Sequence, residues 1–170
     1  GGTFIIQIGE ERFASCADAL KYIAENDSFN TTEGGFKKAA TIQIIDSYLH
    51  FENVVIPKGY NLTLVDDGKN VHVVAYDSNL TGDMFTVGEG AQLNLKVTGN
   101  TNPDSGLIFS GSTDSAKKAA VFCVDGGNIK LLNDLSIEKA YYGIRLVDGE
   151  FDADGKTIYT AGTYGINAIG

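Results

Sequence analysis

Apolar and polar residues alternate through most of the chain, and the same alternation returns several times. The segment "NVVIPKGYNLTLV" from residue 53 has a weaker copy, "MFTVGEGAQLNLKV", from residue 84, and Ile56 aligns with Val87 at a constant offset of 31. Further copies, "VFCVDGGNIKLLN" and "IRLVDGEFDAD", begin at residues 121 and 144. Self-similarity with a period of about 20 to 50 residues is typical of repeat proteins, whose units stack to cover their apolar faces. We therefore predict a stacked repeat.

Aligning the four copies places like residues in shared columns. One apolar column contains Leu62, Leu93, Ile129 and Phe151, and the next contains Leu64, Leu95, Leu131 and Ala153, with Thr63, Asn94, Lys130 and Asp152 between them. In a parallel β-helix each coil lays its strand on the equivalent strand of the coil below, so inward columns must be apolar and outward columns need not be. We predict an all-β fold of this kind. The columns leave one choice open, because either Val121 with Cys123 or Phe122 with Val124 can point inward.

An antiparallel β-sandwich is the alternative all-β fold. It would need regular hairpin turns, and Asp125-Gly126, Asp148-Gly149 and Asp154-Gly155 could supply some of them. The repeats favour the β-helix over the sandwich. Residues 98–118 are polar and glycine-rich, and we expect them to form an external loop that lengthens one coil.

The first 40 residues differ from the rest of the chain. "TFIIQIGEERF" predicts a short strand, and "SCADALKYIAEN" predicts a helix with Ser15 as its N-cap and Asp18 in its first turn. Residues 27–40 lack a period and predict a loop. We divide the chain into residues 1–40 (strand, capping helix and loop) and residues 41–170 (β-helix coils), as one folding unit. Since "YGINAIG" stops partway through a coil, we expect further coils or a cap beyond residue 170.

Composition and charge narrow the partners. The chain has 22 acidic and 13 basic residues and a net charge of -9, so a phosphate backbone would be repelled, and we expect no nucleic-acid partner. No apolar run is long enough to insert into a membrane. Cys16 and Cys123 lack CxxC spacing; we expect two buried thiols, with a disulfide between them as the alternative.

The phrases "FASCADALKYI" and "VVIPKGYNLTL", followed by the "VDGG" and "VDGE" repeats, resemble the β-helical, pectin-lyase-like modules of large adhesin-like surface proteins of bacteria. The resemblance covers almost the whole chain, but its phrases are fold signals and include no active-site signature. It implies a right-handed parallel β-helix with a short N-terminal capping helix. It also implies an extracellular location, at the cell surface or in the cell wall, with neighbouring domains of the same polypeptide as partners.

An enzyme of the same fold, a glycoside hydrolase or a polysaccharide lyase, is the alternative function. Hydrolysis of a glycosidic bond needs two facing carboxyl groups, and the candidate pairs are Asp66 with Asp67, Asp125 with Asp148, and Asp152 with Asp154. Aspartate beside glycine more often caps a turn, and Arg145 and Lys130, the candidate lyase bases, are better explained as solvated strand charges. We therefore assign no catalytic residue.

Metal chemistry has weak support in the sequence. His50 and His72 lie 22 residues apart and lack a third ligand, so we interpret them as an outward-facing pair. Four aspartates could offer oxygen ligands to calcium, but they follow no fixed-spacing loop: Asp66, Asp67, Asp77 and Asp83. We predict no metal site and no cofactor.

Aromatic residues gather towards the end of the chain. If several face outward together, they form a strip suited to stacking against sugar rings or another protein. The sequence therefore predicts a non-catalytic module, acting as an adhesive surface or rigid spacer, that binds glycan or a host or bacterial surface protein. Its candidate binding residues are Tyr141, Tyr142, Tyr159, Tyr164 and Arg145.

Overall fold

The computed structural model describes residues 3–98 and 104–168. In these ranges the protein is mostly β-strand, with one α-helix, α1 (Cys16–Glu25), and two short 3-10 turns, Asp27–Phe29 and Glu33–Gly35. The strands are β1 (Ile6–Ile8), β2 (Glu11–Phe13), β3 (Lys38–Ile44), β4 (Tyr48–His50), β5 (Val54–Ile56), β6 (Tyr60–Val65), β7 (Val71–Tyr76), β8 (Phe85–Gly88), β9 (Gln92–Lys96), β10 (Gly106–Ser110), β11 (Ala120–Leu131), β12 (Leu135–Asp152) and β13 (Ile158–Ala168). The predicted all-β class is confirmed.

The strands pair in three mostly parallel ladders. The first ladder contains β3, β6, β9, the end of β11 and the end of β12. The second contains β4, β7, β10, the start of β12 and the start of β13. The third contains β5, β8, the start of β11, the middle of β12 and the end of β13. Among the described strands, antiparallel pairing is confined to β1, which lies between β2 and β3.

The apolar columns predicted from the repeats are those of the first ladder. Leu62 pairs with Leu93, Leu93 with Ile129, and Ile129 with Phe151. In the second column Leu64 pairs with Leu95, and Leu95 pairs with Leu131, whereas Ala153 lies just past the end of β12. Leu62 and Ile129 are fully buried. Burial of these columns removes apolar surface from water at about 25 cal/mol per Å², so the repeat pattern supplies much of the driving force for folding.

The orientation around Cys123 is settled by the third ladder. Phe122 pairs with Phe85 and Ile144, and it packs in the core together with Val124. Cys123 pairs with Thr86 and Arg145 instead, and it too is buried. Of the two choices that the sequence left open, Phe122 with Val124 is the inward pair.

Helix α1 forms as predicted. The Ser15 side chain accepts a hydrogen bond from the Asp18 backbone N–H, and Asp18 places a negative charge in the first turn, where the helix dipole favours it. Cys16, Ala19 and Ile23 face the core, against the β-strands of the chain's beginning. The helix therefore covers one end of the apolar interior.

One local expectation is wrong, and two Asp-Gly pairs do not form the hairpin turns that the alternative β-sandwich would need. The Asp125-Gly126 and Asp148-Gly149 pairs lie inside β11 and β12, where register shifts follow Val124 and Asp125, because a glycine with positive φ bends a strand without ending it. The expected external loop at residues 98–118 contains β10, which pairs with β7 and β12; residues 99–103 lie outside the described residues.

Candidate functional site

Three of the four predicted tyrosines form one surface cluster on the third ladder. Tyr142 pairs with Tyr164 across β12 and β13, and their rings stack with centroids 5.3 Å apart. The Tyr141 ring meets both edge-on, with centroids 4.7 Å from Tyr142 and 5.6 Å from Tyr164. Tyr164 is 45% exposed, whereas Tyr141 and Tyr142 are half-buried. We call these three residues the tyrosine cluster.

Arg145 lies beside the tyrosine cluster. Its guanidinium carbon is 5.9 Å from the centroid of the Tyr142 ring, within the range of a cation–π contact. Its Nε has no hydrogen-bond partner among the described residues. Because this Nε is itself buried, what Arg145 adds to the edge of the tyrosine cluster is the positive charge of its guanidinium.

Tyr159 does not join the cluster. It pairs with Ser136 on the second ladder and lines a separate shallow groove of about 260 Å³ with Ile108 and Glu138. Tyr159 lies apart from the tyrosine cluster because β13 continues from the second ladder into the third between Tyr159 and Tyr164. One strand thus presents its two tyrosines on different sides of the molecule.

The candidate carboxylates bind backbone N–H groups close to them in the chain. Asp148 accepts from the N–H of Gly149 at 2.9 Å, and Asp152 accepts from that of Asp154 at 2.9 Å. Asp66 accepts from the N–H of Gly68, and Asp67 from those of Lys69 and Asn70. The bonds of Asp66, Asp67 and Asp152 match the turn-capping role expected from the sequence. Asp148 instead lies at the bulge inside β12. No group of three or more metal-ligating side chains occurs in the described ranges, the four calcium candidates included.

The histidines are buried, so their interpretation as an outward-facing pair is wrong. His50 is fully buried and pairs with Tyr76, whereas His72 pairs with Leu107, so the two do not stack on each other. The His72 Nε2 lies 2.6 Å from the Asp67 carboxylate. A buried polar ring costs free energy unless its nitrogens are paired. Both nitrogens of His50 have partners, and Nε2 of His72 has one.

A chain of hydrogen bonds runs from His50 to the start of α1. His50 Nε2 lies 3.0 Å from the backbone oxygen of Met84, which can only accept, so Nε2 carries the proton. Nδ1 is then an acceptor, and it receives the Tyr48 hydroxyl proton at 3.1 Å. The Tyr48 oxygen is in turn 3.8 Å from the Cys16 thiol, which is left to donate to it. Geometry thus fixes the tautomer of the ring and the direction of each bond.

Glu52 completes this buried region, because its two carboxylate oxygens accept from the backbone N–H groups of Cys16 and Ala17 at 2.8 and 3.0 Å. We call Cys16, Tyr48, His50 and Glu52 the helix clamp. Burial, with the Glu52 charge second, raises the pKa of the Cys16 thiol to about 12. Burial also lowers the pKa of His50 and raises that of Tyr48. All three groups are therefore neutral near pH 7.

The sequence analysis did not predict the helix clamp, although the alternation of residues 48–52 indicates a strand with one polar face. Tyr48, His50 and Glu52 alternate with Leu49 and Phe51, which is the period of a strand with one polar face. The structure turns that polar face inward and leaves Leu49 and Phe51 62% and 57% exposed. Both cysteines are free and buried, so the expected buried thiols are confirmed and the alternative disulfide is absent.

Comparison with known proteins gives no relative. No family model, no curated protein and no solved structure matches the chain. Within the described residues, no helix is both long and apolar enough to cross a membrane.

Proposed function

We propose that this chain is a non-catalytic module of an extracellular bacterial surface protein, built as a right-handed parallel β-helix, whose tyrosine cluster binds glycan. The module would sit at the cell surface or in the cell wall, with neighbouring domains of the same polypeptide. The observation that carries the binding role is the tyrosine cluster with Arg145 beside it.

The β-helix is supported by the order in which the chain visits the three ladders. From β3 to β8 the strands fall on the first, second, third, first, second and third ladders in turn. A chain that returns to each ladder every third strand, always parallel, winds around one axis. Crossovers between parallel strands of one sheet are right-handed in about 98% of cases, which favours that hand here.

The binding role is supported by what the tyrosine cluster offers to a sugar. Tyr164 is 45% exposed and carries an apolar ring with a hydroxyl at its edge, a combination enriched at interfaces. The ring of Tyr142 stacks on one side of it, which restricts its rotation before a ligand arrives. Arg145 and the tyrosine hydroxyls supply hydrogen-bond donors to sugar oxygens around this platform.

A non-catalytic role is supported by the tasks that the acidic residues already perform. Asp66, Asp67, Asp148 and Asp152 each accept bonds from neighbouring backbone N–H groups, so their oxygens hold the local backbone in place. Asp125 and Asp148 are neighbours in register at the bulges of β11 and β12. Stacked strands with one continuous core also suit a stiff spacer.

A glycan array tests the proposal, with wild-type protein compared with Tyr164→Ala, Tyr142→Ala and Tyr159→Ala. We expect wild type to retain at least one glycan class and the first two variants to lose it, while Tyr159→Ala, on the second ladder, retains it as the matched control. Retention that is unchanged in Tyr164→Ala, or absent from wild type, would overturn the proposal. Release of reducing sugar or unsaturated uronate from the same glycans would replace it with the enzymatic alternative.

A further inference from the structure

A second concave surface lies at the other end of the molecule, away from the tyrosine cluster. It is a polar groove of about 360 Å³ between the β1–β2 hairpin and the turn at residues 66–70. Its volume lies at the lower end of the range of small-molecule sites, about 300 to 1,000 Å³. The polar side chains that line it are Gln7, Arg12, Gln43, Asp67, Lys69 and Asn70. We call this surface the hairpin groove.

The strand register brings three of these side chains into one row. Gln7 on β1 pairs with Arg12 on β2 and with Gln43 on β3, so the three residues lie side by side on the outer face of the sheet. Their neighbours Ile6, Ile8 and Ile44 are buried, which fixes the alternation and holds the polar row outward. The row is thus positioned by the fold and does not depend on a flexible loop.

Arg12 is held in place within the row. Its Nε donates to the Oε1 of Gln7 at 3.0 Å, and the Nε2 of Gln7 donates to the backbone oxygen of Gly9 at 2.9 Å. Arginine has five N–H donors, so the four on its two terminal nitrogens take no part in the Gln7 contact. Neither Arg12 nor Lys69 forms an ion pair with a carboxylate within the described ranges.

Asp67 lies in the turn that forms the opposite wall of the groove, and three hydrogen-bond contacts hold its carboxylate. Its Oδ1 accepts from the backbone N–H groups of Lys69 and Asn70 at 2.8 and 3.1 Å, and its Oδ2 lies 2.6 Å from Nε2 of His72. Burial alone would raise the pKa of Asp67, but the Lys69 N–H, His72 and the Asn70 N–H together lower it. The Asp67 carboxylate therefore stabilises the turn that carries Lys69 and Asn70.

The groove has an unusual charge for this molecule. Two cations, Arg12 and Lys69, line the groove with one carboxylate, Asp67, which already has three hydrogen-bond partners, on a chain of net charge -9. The amides of Gln43 and Asn70 also line the groove and provide both donors and acceptors. Fixed donors of this kind suit a compact oxyanion, and neighbouring amides suit hydroxyl groups.

We propose that the hairpin groove binds a small hydroxylated anion of about monosaccharide size. Its oxyanion is held between Arg12 and Lys69, and its hydroxyls contact the Gln43 and Asn70 amides. Gln7 is a positioning residue that orients the Arg12 guanidinium. This site is independent of the tyrosine cluster, since the two surfaces share no residue.

Isothermal titration calorimetry with four defined probes tests the site. Gluconate, glucose 6-sulfate and glucose 6-phosphate carry three different oxyanions on a similar frame, and glucose is the neutral reference. We expect at least one of the three anions to bind and glucose to bind about tenfold or more weakly, since a charge-assisted hydrogen bond contributes about 1.5 to 3 kcal/mol. The strongest of the three identifies the oxyanion; equal or absent binding of all four probes would overturn the proposal.

Variants separate the site from general attraction between charges. Arg12→Gln and Lys69→Gln should each weaken binding of the best anion about tenfold, whereas Lys21→Gln, the same charge change on the exposed face of α1, should leave it unchanged. Gln7→Leu, which leaves both cations in place, should weaken binding by a smaller factor because Arg12 is released. Equal weakening by Lys21→Gln would assign the effect to net charge and refute the site. Unchanged thermal melting of each variant, followed by circular dichroism, is the folding control.

Discussion

The third ladder has two ends, and the same column of inward residues meets a different environment at each. The column runs through Val54, Phe85, Phe122, Ile144 and Ile166, and both Val54 and Ile166 lie on edge strands. Val54 is 7% exposed because α1 covers it, whereas Ile166 is 53% exposed. Identical positions in a repeat therefore become core or surface according to what lies over the edge.

The covered end owes its burial to residues outside the repeat. The helix clamp holds α1 against the strands. Glu52 accepts from the first two helical N–H groups, and Tyr48 and His50 are hydrogen-bonded to each other beneath the start of the helix. Edge strands are liable to unwanted pairing unless something covers or charges them. The contrast between Val54 and Ile166 shows that the repeat pattern specifies the columns of inward residues, while elements outside the repeat determine where the buried core ends.

The largest expected effect comes from truncating the column at its centre. Phe122 is fully buried, with ring centroids 5.3 Å from Phe85 and 5.0 Å from Phe109. We expect Phe122→Ala to lower the free energy of unfolding by about 3 to 5 kcal/mol, measured by urea denaturation. Ile166→Ala, in the same column, should cost less than about 1 kcal/mol because its side chain is already half in water. Equal losses would mean that the β13 edge is covered in solution, and the comparison would fail.

The next effect concerns His50, at the covered end. His50→Leu leaves the Tyr48 hydroxyl and the Met84 carbonyl without their partner, which should cost about 1 to 3 kcal/mol at pH 7.5. The pKa of His50 is lowered in the folded state, so on acidification below about 6.5 the unfolded chain takes up the proton first. Wild type should therefore lose stability as the pH falls from about 6.5 towards the lower folded pKa.

Urea denaturation at pH 7.5 and 5.5 isolates this contribution. All other ionisable groups are common to both proteins, so the difference between wild type and His50→Leu reports on His50. We expect the variant to lose less stability than wild type on acidification. An equal loss in both proteins would show that His50 is not buried as a neutral ring.

A smaller effect is expected from Glu52, which holds the start of α1. Glu52→Gln keeps one acceptor oxygen but loses the second, together with a negative charge at the positive end of the helix dipole. We expect a loss of about 1 kcal/mol in the free energy of unfolding. Glu10→Gln, an exposed acid in the β1–β2 turn, is the matched control and should stay within about 0.5 kcal/mol of wild type. No difference between the two variants would remove Glu52 from the clamp.

The sequence was sufficient for the columns of the first ladder because their cause is local. Leu62, Leu93 and Ile129 each follow a glycine turn at the same distance, and a period of two then fixes which side chains face inward. The helix was also predictable, since its cap and its apolar spacing lie within twelve residues.

The rest could not be read because it depends on partners distant in the chain. His50 was assigned to the surface, and the carbonyl that accepts from its Nε2 and lowers the cost of burying the ring belongs to Met84, 34 residues away. Tyr159 and Tyr164 lie in one short segment, and their separation depends on where β13 passes from one ladder to the next. The hairpin groove likewise joins Arg12 to Lys69, residues that no sequence period connects.

Disulfide cross-linking between neighbouring strands of one ladder tests whether like positions lie opposite one another in register. Asn128 and Glu150 are exposed partners in the first ladder, and Thr86 lies opposite the native Cys123 in the third. In-register neighbours suit a disulfide, whose Cα atoms lie about 4.4 to 6.8 Å apart, so Asn128→Cys/Glu150→Cys and Thr86→Cys should both cross-link under mild oxidation. Asn128→Cys/Asp152→Cys, two residues out of register, should not. Cross-linking of the mismatched pair in preference to the matched ones would contradict the parallel stacking on which the account depends.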